Sequence, residues 1–534
     1  MKTDRFFSRV KNILLPCLLC SAITGILTGA LVYGFKTVSL WLIETARGAY
    51  VFVAAHPVYI PVLAGALVLL AAASCGLLTW CPAARGGGIP SAIGILRGIL
   101  HFQWLKTLVA TVTSAWISFL AGVPLGNEGP SVQIGTALGR GVTRAAGARR
   151  RAWDRYLMTS GASAGFAAAT CAPIAGLFFA LEEAHKRFSP MILMSSFASV
   201  LCASVTVRRL AALFGGSAVF IEMPDPLALG LHDLWLPVVI GLIAGLCSVL
   251  YSLTFRGIDR VWMDKLSRVP LFWKILAVFL LSGAAGLISH YAVGSGHFVM
   301  EEVFAGNLIW QQLLLVFVIK FALTLLASNT GVTGGLFIPI LTVGTLLGGL
   351  LAALFGAWGL PSDYALTVVV LTTASFMSAT MHTPITALLF SIEALAGLSN
   401  ALYIGVGVFI AYVVMETLDV HALNDMVLAH RIAAQNRGRV RHMRRAAVTV
   451  QPGAFAADKT MRDIFLPDNC LVLSVTGRDK VSMANGGEKT IRAGDVLQLR
   501  YAAYDDDLGQ THQVLCDLFG DQPINSEIVP ADGG

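Results

Sequence analysis

Apolar stretches long enough to cross a bilayer recur through the first four-fifths of this chain. They cover about 12–45, 58–80, 106–120, 161–181, 192–207, 236–260, 272–293, 313–328, 340–357, 364–380, 384–396 and 402–417. A membrane-spanning helix needs roughly 20 mostly apolar residues, and 56% of this chain is hydrophobic while only 13% is charged. The pattern predicts an all-α multi-pass membrane protein that makes contact with lipid, and 13–33 is too long for a signal-peptide core.

Charge and cysteine usage exclude several other classes. The net charge of +7 lies in loops that flank the apolar stretches, and we find no basic face interleaved with aromatics, so we expect no nucleic-acid partner. Nine cysteines without a repeated spacing predict no disulfide framework. No nucleophile–histidine pairing and no His/Cys cluster near the glycine-rich loops is evident, so we expect neither an enzyme, nor a cofactor, nor a metal. Basic residues within 1–12 and 430–445 place both termini on the cytoplasmic side of a cell membrane.

Three glycine-rich segments, 86–90, 126–130 and 331–339, each run into a proline. Proline suits the first turn of a helix, so each segment predicts a loop that begins a helix within the membrane. The free N–H groups at a helix start attract anions without a full positive charge, which permits binding weak enough for release. Unwound backbone at that depth must line a cavity or be buried in protein.

Glu128 lies at the join between the second glycine-rich loop and its helix. Its carboxylate is itself an anion, so it can compete with a permeating anion for one site. The alternative is a capping carboxylate on a kinked membrane helix. The motif alone makes these two interpretations about equally favoured.

The apolar pattern restarts after a linker-like stretch at 214–235. Each half contains glycine-broken helices, which suggests an inverted repeat with broken re-entrant helices and a binding site near the bilayer midplane. The transport domain is predicted to cover residues 1–431.

The ordered motifs of this domain resemble the CLC family of chloride channels and anion/proton exchangers, of prokaryotic type. The family's GSGIP, GREGP and GxFxP motifs correspond to GGGIP at 86–90, GNEGP at 126–130 and GLFIP at 335–339. The segments 172–183 and 383–393 are also family-like. The resemblance implies a homodimer with one anion pathway in each subunit.

By this resemblance Glu128 is the external gating glutamate, and Glu183 is the internal proton-transfer glutamate that exchangers of the family have and its channels usually lack. From position alone, Glu183 could instead end a helix at the cytoplasmic face. The resemblance and the helix starts together assign the anion site to Gly87, Gly88, Ile89, Asn127, Gly129, Leu336, Phe337, Ile338 and Asn424. We therefore predict a proton-coupled antiporter of an inorganic anion, with chloride the expected ion.

Three positions depart from the family pattern. Gly87 replaces a serine, Asn127 replaces an arginine, and Asn424 aligns with a tyrosine whose hydroxyl would bind the anion. The asparagine in GNEGP resembles the fluoride-exporting branch, which makes a fluoride/proton antiporter the first alternative. A carboxylate at Glu183 is not expected of that branch. A passive voltage- or ligand-gated anion channel is the second alternative.

The composition changes after residue 431. We predict a basic linker at 432–446 and a small cytoplasmic α/β domain at 447–520, with strands at 470–475 and 496–501, a turn at 485–487 and a helix at 507–519. Residues from 521 onward look loose. The domain resembles the TrkA-C regulatory domains attached to potassium transporters. Such a domain could bind a small cytosolic ligand or act as a dimerisation module.

Overall fold

A computed structural model describes residues 15–86, 88–147, 153–186, 189–216, 219–436, 438–461, 464, 466–467, 469–477, 481–483 and 490–529. Seventeen α-helices are assigned in the described part of the membrane domain: α1 Leu15–Ala55, α2 Ile60–Trp80, α3 Ile89–Leu96, α4 Trp104–Leu120, α5 Glu128–Ala145, α6 Asp154–Thr170, α7 Pro173–Phe179, α8 Pro190–Phe214, α9 Trp235–Asp264, α10 Leu271–Ile288, α11 His297–Phe304, α12 Trp310–Thr330, α13 Phe337–Ala357, α14 Ala365–Met381, α15 Pro384–Ala394, α16 Ala401–Thr417 and α17 Leu423–Gln435. Nine helical segments of the described chain are long and apolar enough to cross a membrane. The prediction of a multi-pass helical membrane protein is confirmed.

The apolar stretch at 161–181 is not one continuous helix in the structure. Helix α6 ends at Thr170, Cys171 adopts a left-handed backbone conformation with φ of 56°, and α7 begins at Pro173. The proline disfavours helical geometry at the residue before it, so a continuous helix cannot form here. Residues Ala180–Ala184 then form a short π-helical segment.

The same break recurs in the second half of the domain. His382 has the same φ of 56°, and α15 begins two residues later at Pro384. The segments α4–α7 and α12–α15 therefore follow the same order of a helix, a glycine-rich loop, two further helices and a short helix that begins at a proline. This correspondence agrees with the predicted repeat.

Two glutamates join the halves through matching contacts. The carboxylate of Glu182 accepts hydrogen bonds from the backbone N–H groups of Ile385 (2.9 Å) and Thr386 (2.7 Å), at the start of α15. The carboxylate of Glu393 accepts bonds of 2.9 Å from the backbone N–H groups of Ile174 and Ala175, at the start of α7. Helices α7 and α15 are therefore antiparallel, and each is capped by a glutamate from the other half.

In its described residues, the C-terminal domain is an antiparallel sheet packed with one α-helix, α18 (Leu508–Phe519). Its strands are β1 Arg441–Thr449, β2 Cys470–Thr476, β3 Val481–Met483, β4 Val496–Tyr504 and β5 Ser526–Ile528, in the order β3-β2-β4-β1-β5. The predicted strands at 470–475 and 496–501 and the predicted helix at 507–519 are confirmed. The predicted turn at 485–487 lies outside the described residues.

Two predictions about this domain are corrected by the structure. Helix α17 continues to Gln435 and β1 begins at Arg441, so most of the predicted linker at 432–446 is regular structure. Strand β1 is strongly basic, yet its residues alternate between buried and exposed toward its end, as half-buried strands do. The tail after 521 was expected to be loose, but β5 pairs with β1.

Candidate functional site

The three glycine-rich loops meet at one place inside the membrane domain. Gly126 and Gly335 exchange two backbone hydrogen bonds, of 2.8 and 2.7 Å, and the N–H of Gly86 donates to the carbonyl of Gly331 at 2.7 Å. A Cβ atom at Gly129 would lie 2.7 Å from the Cα of Gly335 and 2.8 Å from the Cα of Gly88. Only glycine permits this approach at position 129. The starts of α3, α5 and α13 are thereby brought together.

Most of the predicted anion-site residues lie at these three helix starts. Helix α3 begins at Ile89, α5 at Glu128 and α13 at Phe337. The first N–H groups of a helix have no intrahelical acceptor, so the backbone at these starts offers donors to an anion. The predicted residues placed here are Gly88, Ile89, Asn127, Gly129, Leu336, Phe337 and Ile338, whereas Gly87 lies outside the described residues.

Glu128 is the first residue of α5 and is fully buried. Neither of its carboxylate oxygens has a hydrogen bond of normal geometry with a residue that the structure describes. The backbone N–H groups of Glu128 itself and of Ile338 lie close enough to interact with it. A buried carboxylate without strong partners is costly in its charged form. The geometry therefore suits a group that can be protonated or can exchange places with an anion.

Asn127 is also buried, with 2% of its surface exposed. Its side-chain oxygen has no hydrogen-bond partner among the described residues. The amide oxygen therefore keeps unused acceptor capacity directly beside Glu128.

Glu183 lies in the π-helical segment and is 5% exposed. Its carboxylate accepts a hydrogen bond from the side-chain amide of Asn424, the second residue of α17. Two residues predicted for different roles, one for protons and one for the anion, are thus in direct contact. The side-chain oxygen of Asn424 has no hydrogen-bond partner within the described ranges.

Arg97 fixes the backbone around Glu183, a role that the sequence did not suggest. Its Nη2 donates to the carbonyl of Glu183 at 3.2 Å and its Nε to the carbonyl of Ala184 at 3.1 Å. The same guanidinium lies 3.4 Å from the carboxylate of Asp425. These contacts anchor the segment that holds Glu183 to the end of α3. Arg97 is separated from Glu183 by 86 residues, and no local pattern links them.

Aromatic rings connect the neighbourhood of Glu128 with that of Glu183. Phe337, at the start of α13, contacts Phe166 edge to face with ring centroids 4.9 Å apart. Phe166 in turn stacks on Phe179, also at 4.9 Å, and Phe179 directly precedes the π-helical segment. The region along this ring series is apolar, so a charged group there would be poorly solvated.

Comparison with known proteins identifies the family. The profile described as "Voltage gated chloride channel" matches residues 69–416. The H(+)/Cl(-) exchange transporter ClcA of Salmonella paratyphi B is 32% identical over 390 residues, which cover 71% of this chain and 81% of that protein, and ClcA of Salmonella arizonae matches to the same extent.

Solved structures are similar over a larger share of the chain. A slow cyanobacterial Cl-/H+ antiporter superposes with a TM-score of 0.73 at 26% identity, over 79% of this chain and 99% of that one. A CLC-type fluoride/proton antiporter has a TM-score of 0.64 at 23% identity, over 76% of this chain and 96% of that one, which shows a common fold. The matched family residues end before α17 and the C-terminal domain. The chain belongs to the CLC family of voltage gated chloride channels and transporters.

Proposed function

We propose that this protein exchanges chloride for protons across a cell membrane. The observation that carries the proposal is the pair of buried carboxylates: Glu128 at the convergence of three helix starts and Glu183 behind the aromatic ring series. One carboxylate beside an anion site could gate a channel. Glu183 is a second buried carboxylate, at the other end of an apolar region. A carboxylate at that place is needed only if the protein also moves protons. Relatives named as H(+)/Cl(-) exchange transporters support the same choice.

The exchange follows from competition at the helix starts. The charged Glu128 carboxylate and a chloride ion are both attracted to the N–H groups of α5 and α13, and like charges exclude each other. Protonation removes the charge of Glu128, so the side chain leaves and chloride enters. Return of Glu128 to the helix starts expels chloride and releases the proton. Glu183 supplies and removes protons on the other side of the apolar region.

The fluoride alternative rests on Asn127. Its side chain is buried next to Glu128 and carries an amide NH2 group, and a small, strongly hydrated anion needs such donors in place of its water. Glu183 favours the chloride assignment, because the resemblance does not lead us to expect this carboxylate in the fluoride branch. If neither glutamate moves protons, the protein is a passive anion channel.

The assembly and the orientation belong to the same proposal. We infer a homodimer, with one pathway in each subunit, and both termini in the cytoplasm. The C-terminal domain contacts the membrane domain: the rings of Phe455 and Tyr156 are 6.3 Å apart. A TrkA-C-like domain in that position could transmit the binding of a cytosolic ligand to the transport domain.

Transport by purified protein in liposomes tests the proposal. Anion efflux and internal pH are recorded together, with chloride, nitrate and fluoride compared in turn. We expect a chloride gradient to drive protons uphill. Coupled movement with fluoride far ahead of chloride would assign the chain to fluoride export, and efflux without proton movement would make it a channel.

A further inference from the structure

A large cationic cavity lies between the membrane domain and the C-terminal domain. It has a volume of about 860 Å³ and is lined by parts of α3, α4, α9, α10, α12 and α17, by the loops around them, and by Gln510 of α18. Glu128 and Glu183 do not line it. The cavity is therefore separate from the two carboxylates assigned to proton and anion exchange.

The charges on its wall are of one sign. Arg85, Lys106, Lys274 and Arg431 line the cavity, and no aspartate or glutamate is among the described lining residues. Four cations gathered around one space repel each other, and an anion between them would relieve that repulsion. On an ordinary solvent-exposed surface, positively and negatively charged side chains would be interspersed.

The two arginines are held in place by contacts that use only part of each guanidinium. Arg85 donates through its Nε to the carbonyl of Leu78 at 3.1 Å. Arg431 donates through Nη1 to the hydroxyl of Ser91 in α3. The guanidinium of Arg431 also packs against Gly86, where a Cβ atom would lie 2.5 Å from its Nη2. Both arginines are thus positioned in advance, and each planar guanidinium has further N–H donors available for an oxyanion such as phosphate.

The size of the cavity indicates the class of ligand. Pockets for organic ligands have volumes of roughly 300–1,000 Å³, whereas a chloride ion requires only a few donors around one point. Apolar side chains, including Phe255 and Trp262, complete the wall beside the cations. A ligand with a phosphate group and an organic part would use both kinds of surface.

We propose that this cavity binds a phosphate-bearing polyanion, held by Arg85 and Arg431 and closed on one side by Gln510 of the C-terminal domain. The ligand would bridge α17 and the loop before α3 to α18. Binding of this kind would tie the C-terminal domain to the helix start that contributes Gly88 and Ile89 to the anion site. The source of the phosphate is either a free metabolite or a lipid headgroup.

Binding to the purified full-length protein tests the proposal independently of transport. Inorganic pyrophosphate and ADP are titrated by calorimetry into protein in phosphatidylcholine nanodiscs, and nanodiscs with phosphatidic acid are examined by native mass spectrometry for retained lipid. We expect one of these probes to bind. Arg85→Gln and Arg431→Gln should each weaken its binding at least about tenfold, as loss of a charge-assisted hydrogen bond does.

Gln510→Glu provides a second test that leaves the membrane domain unchanged. Gln510 is exposed, so the substitution should fold normally while placing a negative charge at the cavity, and binding should weaken. Arg260→Gln and Gln311→Glu make the same charge changes at exposed positions outside the cavity and should leave binding unchanged. If the cavity variants bind pyrophosphate or ADP more weakly, the ligand is a free phosphate compound. If they lose only the retained phosphatidic acid, the ligand is a lipid. No binding of any probe, or equal binding by the cavity variants and their controls, would overturn the proposal.

Discussion

The two halves of the membrane domain begin equivalent helices with different side chains. In the first half, GNEGP at 126–130 places Glu128 at the start of α5. In the second half, GLFIP at 335–339 places Phe337 at the start of α13. The glycines pair with each other through backbone hydrogen bonds, and the prolines occupy corresponding places. Both halves thus contain the glycine-rich loop and the helix start, but only the first half has a carboxylate at this position.

The short helices that follow show the same asymmetry. Glu182 and Glu393 each lie nine residues after the proline that starts their helix, at Pro173 and Pro384 respectively, and each caps the helix of the other half. The next residue is Glu183 in the first half and Ala394 in the second.

This comparison separates two kinds of glutamate. Glu182 and Glu393 have counterparts and satisfy backbone N–H groups, so their role is structural. Glu128 and Glu183 have no carboxylate counterpart at the corresponding positions, and burial makes each of them costly to keep. The comparison of the two halves thus supports the proposal that Glu128 and Glu183, which lack counterparts, act in transport.

The largest effect is expected at Glu128. In Glu128→Gln the group that competes with the anion can no longer change its charge, so anion flux should persist while proton movement falls to the level of protein-free liposomes. Anion flux should also lose its dependence on pH. Simultaneous recording of chloride efflux and internal pH measures both. Proton pumping retained by this variant would contradict the gating role.

Glu183→Gln should also separate the two fluxes. Chloride movement is expected to continue, because the helix starts are unchanged, while proton flux falls at least about tenfold, in keeping with loss of a general acid–base group. Glu182→Gln is the matched control, one residue away, and should keep the ratio of chloride to protons. Equal loss of proton flux in both variants would mean that the effect comes from disturbing the π-helical segment.

A smaller effect is expected at Asn424. Asn424→Leu removes the hydrogen bond to Glu183 while filling a similar volume. A hydrogen bond that contributes about 1 kcal/mol corresponds to roughly a fivefold change, so proton flux should fall by about that factor. Chloride, nitrate and fluoride fluxes measured in the same variant test its predicted part in the anion site. An altered anion preference with normal proton flux would move Asn424 from the proton path to the anion site.

The smallest effect on transport is expected at the glutamates that have counterparts. Glu393→Gln and Glu182→Gln should each lower the free energy of unfolding by about 1 kcal/mol, because an amide oxygen caps a helix less well than a carboxylate. Thermal unfolding in detergent measures this loss, and the ratio of chloride to protons should stay at the wild-type value. A changed ratio of chloride to protons in Glu393→Gln would show that this glutamate also acts in transport, and would contradict its assignment as structural.

The sequence predicted the parts of this structure that local patterns encode. Length and hydropathy identified most helices, and each glycine-rich loop before a proline does begin a helix. Hydropathy does not reveal the break at Cys171, because the residues on both sides of it are equally apolar. Strand β1 was missed because its arginines resemble a linker.

Contacts between distant residues could not be predicted from local patterns. Asn424 is 241 positions from Glu183, and they are brought together by packing, in which α3 contacts both α17 and the π-helical segment. The reciprocal caps of Glu182 and Glu393 likewise join segments about 200 residues apart. The cationic cavity combines side chains from several helices and the C-terminal domain, and each cation alone looks like an ordinary residue at a membrane interface.

The most direct test of proton-coupled exchange is the reversal potential of wild-type current in a planar bilayer under a pH gradient with equal chloride on both sides. The wild-type reversal potential should move away from zero when the pH gradient is imposed and should return to zero in Glu128→Gln. A wild-type reversal potential that stays at zero under the pH gradient would contradict proton-coupled exchange, because chloride would then cross without protons.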